Sequence, residues 1–186
     1  MDAQNSQILI DSDVISHFIT NNCLKDLPGI LAPYKCIVLD IVYHEITRNQ
    51  IRKAFLDSTI SAGDIILTVF PHSNLDIKKE YAQIKKNNYL IGDGERACMA
   101  VAKFNKNIIA SSNFRDITTY CKLNNINFIG TLDILSIAFS KSIFTEEQCD
   151  KFIKEALSLN KARFPTGITR IRDYIPADLS FMELGT

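Results

Sequence analysis

The amino-acid sequence predicts an α/β protein, a three-layer α/β/α sandwich around a parallel sheet of about five strands. Short apolar runs of strand length alternate with longer segments of helical periodicity. Such strand–helix units favour parallel pairing, because a parallel crossover needs about a dozen residues or more, usually an α-helix. The chain has 186 residues and 46% apolar content, which suits one domain with a full core.

The predicted strands and helices alternate along the first 140 residues. The strands are predicted at residues 7–10, 36–39, 65–70, 107–110 and 126–129. Helices are predicted at residues 14–20, 40–48, 75–86, 92–104, 116–123 and 131–139. A short helical turn is also predicted at 26–31. Asp40 and Thr131 are predicted N-caps, and Pro71 is expected to end the third strand.

A last helix and an irregular tail complete the chain. Thr145 followed by Gln148 is a capping-box pattern and predicts a helix to about residue 159. From Ala162 onward the periodicity is lost. We expect a tail that packs on the core or reaches a partner. Its basic residues are Arg163, Arg170 and Arg172.

Composition excludes several classes of protein. Lys+Arg and Asp+Glu both number 21, so no overall basic field attracts nucleic acid, and such binding would need a local patch. The lysines at 78, 79, 85 and 86 suit either a solvated helix face or RNA contacts. Five scattered cysteines without a CxxC pair indicate neither a zinc site nor a disulfide framework. No secretory leader or membrane-length apolar run is visible, so we expect a cytoplasmic protein with no membrane partner.

Two acidic residues follow the first predicted strand. Asp11 and Asp13 come directly after the apolar residues 8–10. Residues i and i+2 of an extended chain project to the same side, where two like charges are unfavourable without a cation or a proton between them. Open α/β sheets bind ligands at this edge. The pattern indicates a metal site, or alternatively a helix cap at one Asp and a solvated side chain at the other.

Three further acids lie at comparable places. Glu45 is one turn into the helix after the second strand, Glu95 opens a helix after residues 92–94, and Asp116 follows residues 111–113. The carboxyl ends of parallel strands share one edge, so these carboxylates are expected to converge. Oxygen donors without Cys or His favour Mg²⁺ or Mn²⁺, the ions that assist attack of water on phosphodiesters. Read singly, each acid also suits a solvated helix residue or a partner of a helix N-terminus.

Together these segments resemble a known family. In order, ILIDSDVI, IVYHEI, GDGERACMAVA and IIASSNFRDI, within residues 7–142, are similar to the motifs of PIN domains, and among them the VapC-like ribonuclease toxins. INFIGTLDILSIA is similar to the ending of one PIN subgroup. By this resemblance, the catalytic and metal-binding quartet is Asp11, Glu45, Glu95 and Asp116. The supporting residues are Asp13, Ser111 and Asn113, with Asp93 competing with Glu95 as third ligand.

The resemblance implies a Mg²⁺- or Mn²⁺-dependent endoribonuclease that cleaves RNA, the toxin of a toxin–antitoxin pair with an antitoxin partner and a homodimeric state. It divides the chain into a PIN-like catalytic domain at 1–143 and a helical extension with tail at 144–186. One alternative is an inactive PIN-like interaction module. Another is a haloacid-dehalogenase-like phosphatase with Asp11 as nucleophile and Asp13 as general acid, but there the second acidic motif should follow Ser111, and here it precedes it.

Overall fold

The computed structural model describes residues 7–158, 162 and 164–182. Five parallel strands form one sheet in the order β3-β2-β1-β4-β5. The strands are β1 Gln7–Ile10, β2 Lys35–Leu39, β3 Ile65–Thr68, β4 Ile108–Ala110 and β5 Phe128–Ile129. The helices are α1 Ser12–Thr20, α2 Leu27–Leu31, α3 Asp40–Ile46, α4 Gln50–Ser61, α5 Leu75–Asn87, α6 Asp93–Asn105, α7 Phe114–Asn124, α8 Thr131–Ser140 and α9 Glu146–Ser158. The predicted α/β class and parallel sheet are confirmed.

Helices cover both faces of the sheet. Helix α6 packs on β1, β2 and β4, with α5 and α7 beside it. On the other face, α1 contacts α9 and α2 contacts α8. This division follows from the right-handed crossover rule. The chain moves in one direction across the sheet from β1 to β3 and in the opposite direction from β4 to β5, so the helices of these two parts cover opposite faces. The middle strand β1 is consequently enclosed, and its residues 8–10 are fully buried.

Some predicted boundaries are wrong. The third strand ends at Thr68, because the N–H of Phe70 donates to Asp40 Oδ1 at 2.9 Å and leaves the ladder. The N-caps lie one residue earlier than predicted, at Leu39 for α3 and Gly130 for α8. Helix α4, which was not predicted, occupies the connection between α3 and β3.

The C-terminal region packs on the same core as the sheet. The predicted capping box is confirmed, with Thr145 N–H donating to Gln148 Oε1 at 2.8 Å and Gln148 N–H donating back to Thr145 Oγ1 at 3.3 Å. The rings of Phe18 in α1 and Phe152 in α9 meet edge to face, 5.0 Å apart. The predicted helix end at residue 159 and Arg163 lie outside the described residues. The domain division at 143 stays a prediction.

The tail is irregular, as predicted, and it packs on the core. A 3₁₀ turn at Ile171–Asp173 buries Ile171, and Met182 is buried as well. The hydroxyl of Tyr174 donates to Asp133 in α8 at 2.7 Å. Of the two expectations for the tail, contact with the core is the one observed. In the part of the chain that the structure describes, no helix is long and apolar enough to cross a membrane.

Candidate active site

The predicted site lies where the strand order reverses. From β1 the chain proceeds to β2 and β3 on one side, then crosses to β4 on the other. Open α/β sheets bind ligands in the crevice at the carboxyl ends of the two strands flanking such a switch point, here β1 and β4. Asp11 follows β1 and Ser111 follows β4, and the N–H of Asp11 donates to Ala110 O at 2.9 Å. The backbone thereby fixes these two residues beside each other.

Asp11 is buried and caps helix α1. Its Oδ1 accepts the N–H of Ser12 at 2.7 Å, and its Oδ2 accepts the hydroxyl of Ser111 at 3.3 Å. Burial, and then the charges of Asp13 and Glu95, raise the pKa of Asp11 well above its ordinary value. Asp11 therefore caps a helix, one of the two alternatives that its sequence position left open, and the charges of other acids act on it; the metal role stays a prediction.

Asp13 joins α1 to the loop after β4. Its two oxygens accept the N–H groups of Val14 at 2.6 Å and of Ser112 at 2.8 Å. Burial raises the pKa of Asp13 to about 6, although these backbone hydrogen bonds oppose the shift. Asp13 thus holds the ends of β1 and β4 in register and adds negative charge to the cluster, as a supporting residue would.

Glu45 reaches from α3 to the start of α6. Its Oε1 accepts the N–H of Gly94 at 2.8 Å. A Cβ atom at position 94 would lie 2.8 Å from Glu45 Oε2 and 3.0 Å from Val42 Cγ2, so a larger residue could not stay there without displacing them. A glycine suits position 94 because Glu45 and Val42 occupy the space that a side chain would need, a role that sequence reasoning did not assign to it.

Glu95 is a buried acid of the cluster. It lies in the first turn of α6 and is only 5% exposed. Its Oε2 accepts the side-chain amide of Asn113 at 3.2 Å, whereas Oε1 is buried without a hydrogen-bond partner among the described residues. Burial, followed by the charges of Asp13 and Asp116, raises the pKa of Glu95 to about 8. A buried unpaired carboxylate oxygen is costly, and a proton or a cation would relieve that cost.

Asn113 connects two members of the predicted quartet. Its amide nitrogen donates to Glu95 Oε2 and, at 2.6 Å, to Asp116 Oδ2. The backbone N–H of Asn113 donates to the hydroxyl of Ser111 at 3.2 Å, and that hydroxyl donates to Asp11. Asn113 is therefore linked to Asp11 through Ser111. The structure therefore brings Ser111 and Asn113 to the acids they were predicted to support.

Asp93 points to different partners. It is exposed, forms an ion pair with Arg96, and accepts the hydroxyl of Tyr81 at 2.7 Å. The bond from Tyr81, together with Arg96, holds the pKa of Asp93 below its ordinary value, although partial burial opposes the shift. Of the two acids that competed for one predicted role, Glu95 faces the cluster, and Asp93 is neutralised outside it.

The donor chemistry suits a hard cation. The cluster offers carboxylate, amide and hydroxyl oxygens, which match Mg²⁺ or Mn²⁺ better than zinc. Cys98 lies near the acids, and burial together with Asp11 and Glu95 raises the pKa of its thiol, so it stays protonated. Among the described residues, no group of three or more His, Cys, Asp or Glu side chains that could hold a metal ion is found. Several carboxylates of the cluster accept protein N–H groups, among them those of Asp11, Asp13 and Glu45.

His17 is buried and contacts the first residue of helix α8. Its Nδ1 lies 2.9 Å from the hydroxyl of Thr131, which in turn lies 2.6 Å from the hydroxyl of Ser112. These contacts support the loop after β4, consistent with a structural role for His17.

Comparison with protein-family models gives no match to the chain, and comparison with curated proteins gives none either.

Proposed function

We propose that the chain is a Mg²⁺- or Mn²⁺-dependent endoribonuclease. The observation that carries this proposal is the buried Oε1 of Glu95, which has no hydrogen-bond partner in the described part of the chain and lies in a carboxylate cluster at the switch point of a parallel sheet. A structural carboxylate would be expected to have its acceptors filled, whereas a ligand keeps one available. The motif resemblance to PIN domains adds the reaction class, hydrolysis of RNA phosphodiester bonds.

Each residue of the cluster has a role in this proposal. The side chains that would hold the ion are Asp11, Glu45, Glu95 and Asp116. Ser111 and Asn113 donate hydrogen bonds that orient Asp11, Glu95 and Asp116. When bound, such an ion offsets charge on a phosphate and lowers the pKa of a coordinated water. Because the pKa of Glu95 is raised to about 8, this residue must release a proton to become a ligand, and metal affinity should increase with pH.

The biological setting that we propose is that of a cytoplasmic toxin held by an antitoxin protein, with homodimerisation. This part rests on the resemblance alone. The competing function is a PIN-like interaction module without turnover. It is favoured by the number of acids that already accept protein donors, among them Asp13 with two backbone N–H groups and Glu45 with that of Gly94. For a phosphatase, the second acidic motif should end a strand, but here it opens α6.

The test combines Mn²⁺ calorimetry with an RNA-cleavage assay in the presence and absence of EDTA. Asp11→Asn is the variant, and Asp93→Asn is its matched control, since it makes the same change at an acid that points away from the cluster. Wild type and Asp93→Asn should bind Mn²⁺ and cleave RNA in an EDTA-sensitive manner. Asp11→Asn should lose about 100-fold or more in metal affinity and activity, at least as much as loss of an outer-shell partner costs. Wild type that binds no Mn²⁺ would establish the interaction module instead.

A further inference from the structure

A shallow groove lies along helix α5 and reaches the end of helix α6. Its volume is about 620 Å³. The residues that line it are Asp76, Lys79, Glu80, Ala82, Gln83, Lys86 and Phe104, and most of them are exposed. From Asp76 to Lys86 the helix rises about 15 Å, the length of about four stacked nucleotides at about 3.4 Å each. The groove is therefore open to solvent and long enough for a stretch of an extended polymer.

The helices beside the groove carry a local excess of positive charge. Helix α5 contains four lysines and two acids, and Lys103 and Lys106 follow at the end of α6 and at its C-cap. The whole chain has 21 basic and 21 acidic residues and no net charge. The excess is thus confined to this region, and it supplies the local basic patch that nucleic-acid binding by a neutral protein requires.

The two acids of the groove do not cancel this charge. Glu80 accepts the ammonium of Lys103 at 2.7 Å, so its charge is already compensated. Asp76 lies in the first turn of α5, where the N-terminal end of the helix stabilises a negative charge. Lys79 and Lys86, by contrast, form no ion pair with any residue in the described part of the chain. These two ammonium groups are available to an anionic ligand.

An aromatic ring adds a second kind of contact to the groove. Phe104 is 43% exposed, and Nζ of Lys103 lies 5.8 Å from the centre of its ring. Lysines beside an exposed aromatic ring are the combination that binds single-stranded nucleic acid, because phosphates pair with the ammonium groups and bases stack on the ring. An acidic peptide would use the lysines, but its carboxylates have no face to stack on the ring.

Helix α6 relates the groove to the acidic cluster. Glu95 lies in its first turn and Phe104 in its last turn, about 14 Å apart along the helix axis. The hydroxyl of Tyr120 donates to Glu80 at 2.9 Å, and Tyr120 lies one turn after Asp116 in α7. A strand bound in the groove is therefore several nucleotides away from the acids, outside the bond that a metal ion there would hydrolyse.

We propose that this groove binds the backbone of single-stranded RNA to one side of the cleaved bond, with Lys79 and Lys86 on phosphates and Phe104 stacked on a base. The assignment rests on the proposed function and names the surface that would hold a long substrate. It predicts that the groove contributes to RNA affinity in a salt-dependent manner and not to the chemical step.

The test measures RNA affinity as a function of salt, by fluorescence anisotropy in EDTA so that no cleavage occurs. For single strands, the slope of log K against log salt changes by about 0.7 for each phosphate contact. The double variant Lys79→Gln and Lys86→Gln should therefore have a slope smaller by about 1.4 and bind about tenfold more weakly at about 200 mM salt. Lys151→Gln with Lys154→Gln is the matched control. These two lysines are exposed on α9, which covers the opposite face of the sheet, so the slope should not change.

Phe104→Ala tests the aromatic contact separately. Stacking does not release counterions, so this variant should bind RNA about tenfold more weakly with the salt slope of wild type. Phe55→Ala is the matched control, because Phe55 is a similarly exposed ring, at 39%, in helix α4. Its RNA affinity should equal that of wild type.

Separate outcomes test the groove and the nuclease. RNA cleavage together with equal salt slopes for wild type and the double variant at positions 79 and 86 would overturn the groove and keep the nuclease. A reduced slope in that variant, without metal-dependent cleavage of RNA by wild type, would keep the groove and overturn the nuclease. Tighter binding of polyglutamate than of RNA at the same salt, with no effect of Phe104→Ala, would overturn the RNA assignment in favour of an acidic protein partner.

Discussion

Two buried acids occupy the same local position in two helices and have opposite surroundings. Glu95 is the third residue of α6 and Asp133 the third residue of α8, and each helix has a glycine N-cap. Glu95 is 5% exposed and Asp133 is 1% exposed. Asp133 accepts three donors, the N–H of Gly130, the hydroxyl of Tyr174 and the N–H of Ala177. Glu95 accepts the amide of Asn113, and its Oε1 has no hydrogen-bond partner among the residues that the structure describes.

The difference separates Asp133, whose hydrogen bonds stabilise the fold, from Glu95, whose burial as a carboxylate lowers the stability of the fold. Every donor around Asp133 is a neutral protein group, so its burial is compensated by hydrogen bonds. Glu95 is surrounded by Asp13 and Asp116, and its pKa is raised to about 8. An arrangement of this second kind is expected where a site binds a cation.

The largest expected effect on stability is that of Asp133→Ala. The substitution leaves the donors of Gly130, Tyr174 and Ala177 without their acceptor, at about 1 kcal/mol or more each, so the free energy of unfolding should fall by about 3 kcal/mol. Urea denaturation measures it. Asp178→Ala, at an exposed acid of the same tail, should change stability by less than about 0.5 kcal/mol. A similar small change for Asp133→Ala would show that its hydrogen bonds with Tyr174 and Ala177 do not hold the tail.

Glu95→Gln should act in the opposite direction, and only at higher pH. Because the folded-state pKa of Glu95 is about 8, above the ordinary 4.5, the folded protein retains a proton that the unfolded chain has lost, and its stability falls as pH rises between these values. In EDTA, Glu95→Gln should match wild type near pH 5 and be more stable by about 2 kcal/mol at pH 8.

The control for this prediction is Asp93→Asn. The pKa of Asp93 is lowered in the folded wild type, so removing this charge should not raise the free energy of unfolding at pH 8. Saturating Mn²⁺ should raise the melting temperature of wild type and leave that of Glu95→Gln nearly unchanged. Equal stability of Glu95→Gln and wild type at both pH values would contradict a destabilising carboxylate at position 95.

The sheet could be predicted from sequence because its strands are short apolar runs bounded by polar residues. Most residues of β1, β2 and β4 are buried, whereas the edge strand β3 is mostly exposed. Helix α4 could not, because only Leu56 and Thr59 of its twelve residues are buried and its apolar stripe is weak. A local signal was present at its start, where the side chain of Asn49 accepts the N–H of Arg52 at 3.1 Å. An N-cap without a strong stripe behind it does not distinguish a helix from a turn.

For the site, sequence could place the acids but not orient them. Strand ends and helix starts located Asp11 and Glu95 at one edge of the sheet. Whether Asp93 or Glu95 faces the cluster depends on Tyr81, which comes from another helix, and on the ion pair with Arg96. Contacts between distant segments leave no periodic signal, so the bridging amide of Asn113 and the close approach at Gly94 were also not predictable in detail.

The smallest expected effect concerns the tail, whose attachment was equally hidden in the sequence. Tyr174→Phe removes one donor to Asp133 and leaves Gly130 and Ala177 in place, so unfolding free energy should fall by about 1 kcal/mol, clearly less than for Asp133→Ala. Urea denaturation of both single variants and of the double variant gives the coupling between the two side chains. Additive effects would mean that the 2.7 Å contact between them contributes nothing. A shortfall from additivity of about 1 kcal/mol would make Asp133 the residue through which α8 holds the tail.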